Sequence, residues 1–323
     1  MIRGSVVWIF VLTLSVLGMN AATGQGVYPN RSIRIVTTAA GSGSDYCARL
    51  IADGLSASLG QPVIIDNRGG SGVIPVEAVT KAPADGYTLL FIGATLWAAA
   101  LLSPSVTYDP EKDLAPITLA VNAPNILAVH PSVPARTVNE LIALAKGRLG
   151  KLNYGSGQPG SINHLSGEMF KTMAGVNIAW IPYKGTNASF NALMGGEVDL
   201  MFVPANVAVP HLRSGRLKAL AVTSAKPSEI VPDLPTVAAS LPGYESVARF
   251  GLSAPAGTPP AIISRLNRET VRVINMPDKR KRFLDAGNDI IASSPEEYAA
   301  VGRAEMARLR KLIRDNGIRA DSF

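Results

Sequence analysis

Short apolar runs alternate with segments of helical period along nearly the whole of this chain. Runs of strand character occupy residues 33–36, 63–65, 88–92, 126–129, 178–181, 200–202 and 219–222. Such alternation predicts α/β layers. Between residues 45 and 59, Ala48, Ile51, Ala52, Leu55 and Leu59 recur at three- and four-residue spacing, one buried stripe along a helix. Gly60 and Pro62 stop it. Ile162, Leu165, Met169 and Met173 make a similar stripe, which Gly175 ends. The two βαβ-like units, 33–67 and 152–183, match in order and size but not in residue identity. Further helices are expected at 138–146, 260–274 and 295–313, with Pro260 and Pro295 suited to a first helical turn. Two crossings between lobes are expected near 121–126 and 247–254. The first lobe is then discontinuous, 27–122 plus 251–323, and the second is 123–250.

Each unit carries a glycine loop between its strand and its helix. The first is Ala39-Ala40-Gly41-Ser42-Gly43-Ser44-Asp45; the second is Gly155-Ser156-Gly157-Gln158-Pro159-Gly160-Ser161. A strand, a glycine loop and a helix start make a site for an anion. The first N–H groups of the helix lack internal partners, the helix dipole favours negative charge there, and glycine lets a ligand approach the backbone. Two such loops suggest two lobes facing each other across a small acid. Asn67-Arg68-Gly69-Gly70-Ser71-Gly72 is a third glycine-rich turn, and Arg68 is read as structural.

The amino terminus changes the compartment. Arg3 precedes a 12-residue, mostly apolar run at 6–17, and small residues follow at Ala21, Ala22, Gly24 and Gly26. That is a secretory signal peptide, 1–26, with cleavage near 24–26. The run is too short for the ~20 residues of a membrane span. About 297 residues remain, enough for two cores. Cys47 is the sole cysteine, so no intramolecular disulfide forms, and its helix position predicts a buried thiol.

The formal net charge of +7 raises the question of nucleic acid. The basic runs, Lys279-Arg280-Lys281-Arg282 and 303–314, have no interleaved aromatics for stacking on bases, so nucleic-acid binding is not expected. Gly155-x-Gly157-x-x-Gly160 matches a dinucleotide fingerprint in form. The acidic residue due ~20 positions on is missing, because Trp180, Ile181, Pro182, Tyr183 and basic Lys184 stand there. His130, His164 and His211 are too scattered for a metal-ligand pair. Neither a nucleophile elbow nor a phosphate-binding P-loop motif occurs. No catalytic residue, metal or cofactor is therefore assigned.

Several motifs, in order and spacing, resemble the periplasmic substrate-binding proteins of tripartite tricarboxylate transporters, the Bug family. They include Gly60-Gln61-Pro62-Val63, Ala84-Asp85-Gly86-Tyr87-Thr88-Leu89-Leu90, Lys151-Leu152-Asn153-Tyr154-Gly155-Ser156, His164-Leu165-Ser166-Gly167-Glu168, Pro182-Tyr183-Lys184-Gly185 and Ala254-Pro255-Ala256-Gly257-Thr258-Pro259-Pro260. The resemblance runs from Tyr28-Pro29 to near the carboxyl terminus. It implies a two-lobe periplasmic-binding-protein (Venus flytrap) α/β architecture with the ligand in the interlobe cleft. It also implies a di-, tri- or aromatic carboxylate as ligand and a two-subunit membrane permease as partner. The expected protein is a monomer in the periplasm. The expected contacts are Ala40, Gly41, Ser42, Gly43, Ser44 and Asp45 of the first loop, and Ser156, Gly157, Gln158, Gly160, Ser161 and His164 of the second. Residues 93–97 and 202–206 are expected to read the rest of the ligand, Gly93, Ala94, Thr95 and Val203 among them. The chain departs from the family at Thr37-Thr38-Ala39-Ala40, where prolines are usual, and at Gln158. Val203 stands where aspartate is common, and Arg249 where tryptophan is. An acid lost and a base gained near the cleft are expected to favour a more anionic ligand, with Arg249 in contact. The alternatives are a solute sensor for a membrane signalling system or an enzyme acting on organic acids.

Overall fold

The computed structural model describes residues 28–69, 72–93, 95–103, 106–147, 151–157 and 161–315. The signal-peptide segment, Ala94, Gln158 and Gly160 lie outside them. The elements run β1 Ile33–Thr37, α1 Gly43–Leu59, β2 Val63–Asn67, α2 Val73–Thr80, β3 Thr88–Ile92, α3 Thr95–Leu102 and β4 Leu114–Val129. They continue with α4 Val138–Gly147, β5 Asn153–Ser156, α5 Ile162–Ala174, β6 Ala179–Pro182, α6 Thr186–Gly195, β7 Leu200–Pro204, α7 Ala205–Arg213 and β8 Lys218–Val222. The last are β9 Val247–Pro255, α8 Pro260–Ile274, α9 Pro277–Asp285, β10 Asp289–Ile290 and α10 Pro295–Asp315.

One hydrogen-bonded path, β2-β1-β3-β9-β4-β7-β5-β6, threads the molecule, with β8 and β10 also on β4. The long strand β4 belongs to both ends of it. Residues 114–124 pair with β9, and 125–129 pair with β7 and β8. The change of partner falls between Pro124, which faces Val247, and Asn125, which faces Pro204. Proline has no N–H to donate, so Pro124 is a natural place for a ladder to end. The two βαβ units correspond: β1 is parallel to β2, and β5 is parallel to β6.

Helices cover both faces of each half, as parallel strands require. Ile51, Leu55, Leu266 and Val273 bring α1 and α8 onto one face of the first half. Val76, Leu96, Met306 and Leu309 bring α2, α3 and α10 onto the other. In the second half, Leu141 and Phe170 of α4 and α5 oppose Phe190, Leu193 and Ala208 of α6 and α7. The chain thus returns along β9 and completes the first half with α8 and α10. Cys47 is fully buried, and burial pushes its thiol up to about 12.

Five helices, α2, α3, α6, α7 and α9, were not expected from the sequence. Two of them, α2 and α3, are apolar almost all round. A third, α9, reads as a bare charge run because Phe283 is its one large buried apolar residue. Its charges are paired: Lys279 to Asp53, Arg280 to Glu229 at 2.6 Å and Lys281 to Asp285 at 2.5 Å.

Alternation along β9 sends neighbouring side chains to opposite faces. Odd positions face α10, where a Cβ on Gly251 would land inside the buried ring of Tyr298. Gly251→Ala is therefore expected to destabilise by about 1–3 kcal/mol, the usual cost of overpacking. Thermal denaturation checks it, and an unchanged midpoint would contradict the packing.

Candidate functional site

The first glycine loop is held by its own side chains. Ser42 caps α1, its Oγ accepting from the N–H of Asp45 at 3.2 Å and lying 2.8 Å from Thr38 Oγ1. The Asp45 carboxylate turns back and accepts the Gly41 N–H at 2.8 Å. It also accepts Asn67 Nδ2 at 2.8 Å and Arg49 Nε at 2.9 Å. Burial alone would raise the pKa of Asp45. The hydrogen bonds from Arg49, Asn67 and Gly41 outweigh burial and hold the carboxyl below its ordinary range. Asp45, 4 % exposed, is thus a loop fastener whose acceptors are already engaged. Gly41 sits at φ +80°, a left-handed conformation that glycine adopts without strain. With its N–H taken internally, the groups left for an outside anion are the first-turn N–H groups of Gly43 and Ser44.

The start of α5 is likewise capped by a serine. Ser161 caps α5 by accepting the His164 N–H at 3.4 Å. Ser156 is fully buried; its Oγ accepts Trp180 Nε1 at 2.8 Å and donates to the Gly157 carbonyl at 3.1 Å. The expected hydroxyl contact from Ser156 is thereby corrected, because that proton is used within the loop. The His164 ring packs on Trp180 with centroids 4.2 Å apart. Burial, the largest influence, pulls its pKa below the ordinary value.

The two helix starts face one cleft of about 450 Å³. Gly41, Ser42, Gly43 and Tyr46 line it from the first half, and Ile162 from α5 of the second. Ala123, Pro124, Asn125, Ala248 and Phe250 form its base where β4 and β9 cross. Pro204, Ala205 and Asn206 close one end, beside Ala286 and Asn288. Of the expected contacts, Gly41, Ser42 and Gly43 are brought to this surface. Ala40 and Thr95 are exposed but not among its lining residues, and Ser44 is buried beneath the first turn.

Three other expected contacts are placed elsewhere. Val203 is fully buried in the core with Ile126, Met201 and Val222, below any surface a ligand touches. Gly93 is buried under the ring of Phe250. Arg249 points away from the cleft. Its NH1 donates to Glu305 at 3.1 Å and its NH2 to Glu245 at 2.6 Å, and Glu305 also binds Arg308 at 2.5 Å. With its charge met by two carboxylates, Arg249 gives no ground for expecting a more anionic ligand. Pro204, Ala205 and Asn206, within the expected stretch 202–206, do line the cleft, whereas Tyr46, Asn125, Phe250 and Asn288 were missed from sequence. Tyr46 was within reach, one turn beyond Ser42 on the same helix. Phe250 was the neighbour of the residue chosen, on the opposite face of the strand.

Comparison with known proteins finds relatives of this chain and of its fold. The profile of the tripartite tricarboxylate transporter family receptor matches residues 47–318. Protein BugT of Bordetella pertussis is 34% identical over 320 residues, 97% of each chain. A solved R. palustris protein with adipate is 36% identical over 90% of this chain and 98% of that one, at a TM-score of 0.72. MatC from Rhodopseudomonas palustris, with bound malate, is 31% identical over 88% of this chain and 100% of that one, at a TM-score of 0.68.

Proposed function

Because this chain belongs to the tripartite tricarboxylate transporter receptor family, we propose that it captures a small organic carboxylate in the periplasm and delivers it to a two-subunit membrane permease. The observation that carries this reading is the pair of capped helix starts, α1 and α5, facing one cleft from opposite halves of the sheet. One ligand carboxylate is held against the first-turn N–H groups of Gly43 and Ser44 and the start of α5. Charge-assisted hydrogen bonds of this kind contribute roughly 1.5–3 kcal/mol each. The exposed amide of Asn206 supplies a further polar contact at one end of the cleft. Binding needs no bond to break. Closure of the halves over the acid follows from its higher affinity for the closed form.

A thermal-shift screen of the mature protein against small carboxylates tests this. At a hundred times the dissociation constant a ligand stabilises by ~2.7 kcal/mol, about 5–10 °C for lobes of this size. The expected result is a shift with at least one class of acid, stoichiometric binding without product, and no shift with NAD or mononucleotides. Shifts confined to nucleotides would overturn the reading, and turnover of a bound acid would make the protein an enzyme.

A further inference from the structure

We infer that Phe250 and Tyr46 make the cleft selective for acids with an extended or flat apolar body over short hydroxylated acids. The inference deepens the carboxylate reading above and rests on it. The ring of Phe250 is parallel to that of Phe91, with 6° between planes and 6.5 Å between centroids. Gly93 makes room for it, and at Gly43 the ring comes to ordinary contact distance. A Cβ on Gly43 would lie 3.6 Å from its Cζ, and one on Gly93 would lie 2.8 Å from its Cε1. The phenyl edge therefore reaches the first turn of α1, where the carboxylate is held, while the half-buried ring lines the cleft. Tyr46, 39% exposed, rises beside it from α1, and Ile162 stands opposite on α5.

The proline rings of Pro124 and Pro204 continue the apolar wall toward Asn206. A chain of methylenes or an aromatic ring running from Ser42 toward Asn206 is thus in apolar contact along its length. A hydroxyl at the same depth meets ring carbon and leaves its water behind, which disfavours it. Each methylene removed from water contributes about fourfold in affinity. Aromatic bodies also gain from edge or offset contact with Phe250 and Tyr46.

The test is calorimetry on the mature protein with acids of equal charge: adipate against malate, and terephthalate against tartrate. Adipate and terephthalate are expected to bind about tenfold or more tightly than their hydroxylated counterparts. Phe250→Ala should bring each pair to within about threefold, by weakening adipate and terephthalate more than malate and tartrate. Tyr46→Ala, at an exposed position, should shrink the same ratios and serves if Phe250→Ala does not fold. Equal or tighter binding of malate or tartrate by the wild type would overturn this selectivity and leave the carboxylate receptor standing. So would variants that weaken every acid alike. Failure of the folded wild type to bind any of the four would overturn both.

Discussion

Replacing Arg249 with alanine is expected to lower stability by about 3 kcal/mol while leaving affinity for every carboxylate within a few-fold. The guanidinium and Glu305 are 8% and 5% exposed, so the pair sits out of water. Removing one partner of such a pair leaves an uncompensated buried charge, which costs about 3–5 kcal/mol. Here Glu305 keeps its contact with Arg308 at 2.5 Å, which places the loss at the lower end. The midpoint of thermal unfolding should fall by about 6–12 °C. Neutralising the stranded acid with Glu305→Gln in the same chain should recover part of that loss. Calorimetry separates this from a ligand role. A tenfold loss of affinity for diacids at unchanged stability would return Arg249 to the cleft.

Asp45→Asn is expected to act on stability and binding together. The carboxylate accepts from Gly41, Asn67 and Arg49 at once. An amide offers one acceptor atom and turns a donor toward donors. Hydrogen bonds to a charged group contribute about 1.5–3 kcal/mol, so a loss of about 2–3 kcal/mol follows. Since those bonds position Ser42 and Gly43, all acids should bind about tenfold or more weakly, with no change in their rank. The pH profile adds a second readout. The folded pKa of Asp45 lies below its ordinary value. Its contribution is therefore complete above about pH 4 and is lost as pH falls through the lower folded value. Below about pH 4 the wild type should lose an increment of stability that Asp45→Asn lacks, measurable by denaturant titration at pH 7, 4 and 3. Parallel profiles would mean that the Asp45 hydrogen bonds contribute nothing to the folded state.

Several site features were legible before the fold was known. The capping serines Ser42 and Ser161 and the αL stops at Gly60 and Gly175 behave as their sequence positions require. The helix at Pro260–Ile274 matches its expected bounds and its opening proline to the residue. Other features were hidden for a common reason. The apolar helices α2 and α3 carry no periodicity because apolar residues also stand on their outer faces, as Ile74 does, 47% exposed. Val203 and Arg249 were placed near the ligand by their position along the chain, yet each faces away. In a strand, a step of one residue reverses the side chain, and which face meets the ligand depends on the sheet it joins.

By itself the sequence determined the local devices of this protein: two helix starts after short strands, their serine caps and their glycine stops. These rest on interactions within about one turn of chain, so nearby residues suffice to specify them. Tertiary structure alone decided that Asp45 meets Asn67, that Arg249 pairs with Glu305, and that Phe250 lines the cleft. Asn67 and Phe91 meet their partners 22 and 159 residues away along the chain. Contacts at such separation follow from strand order and register, which no local pattern encodes.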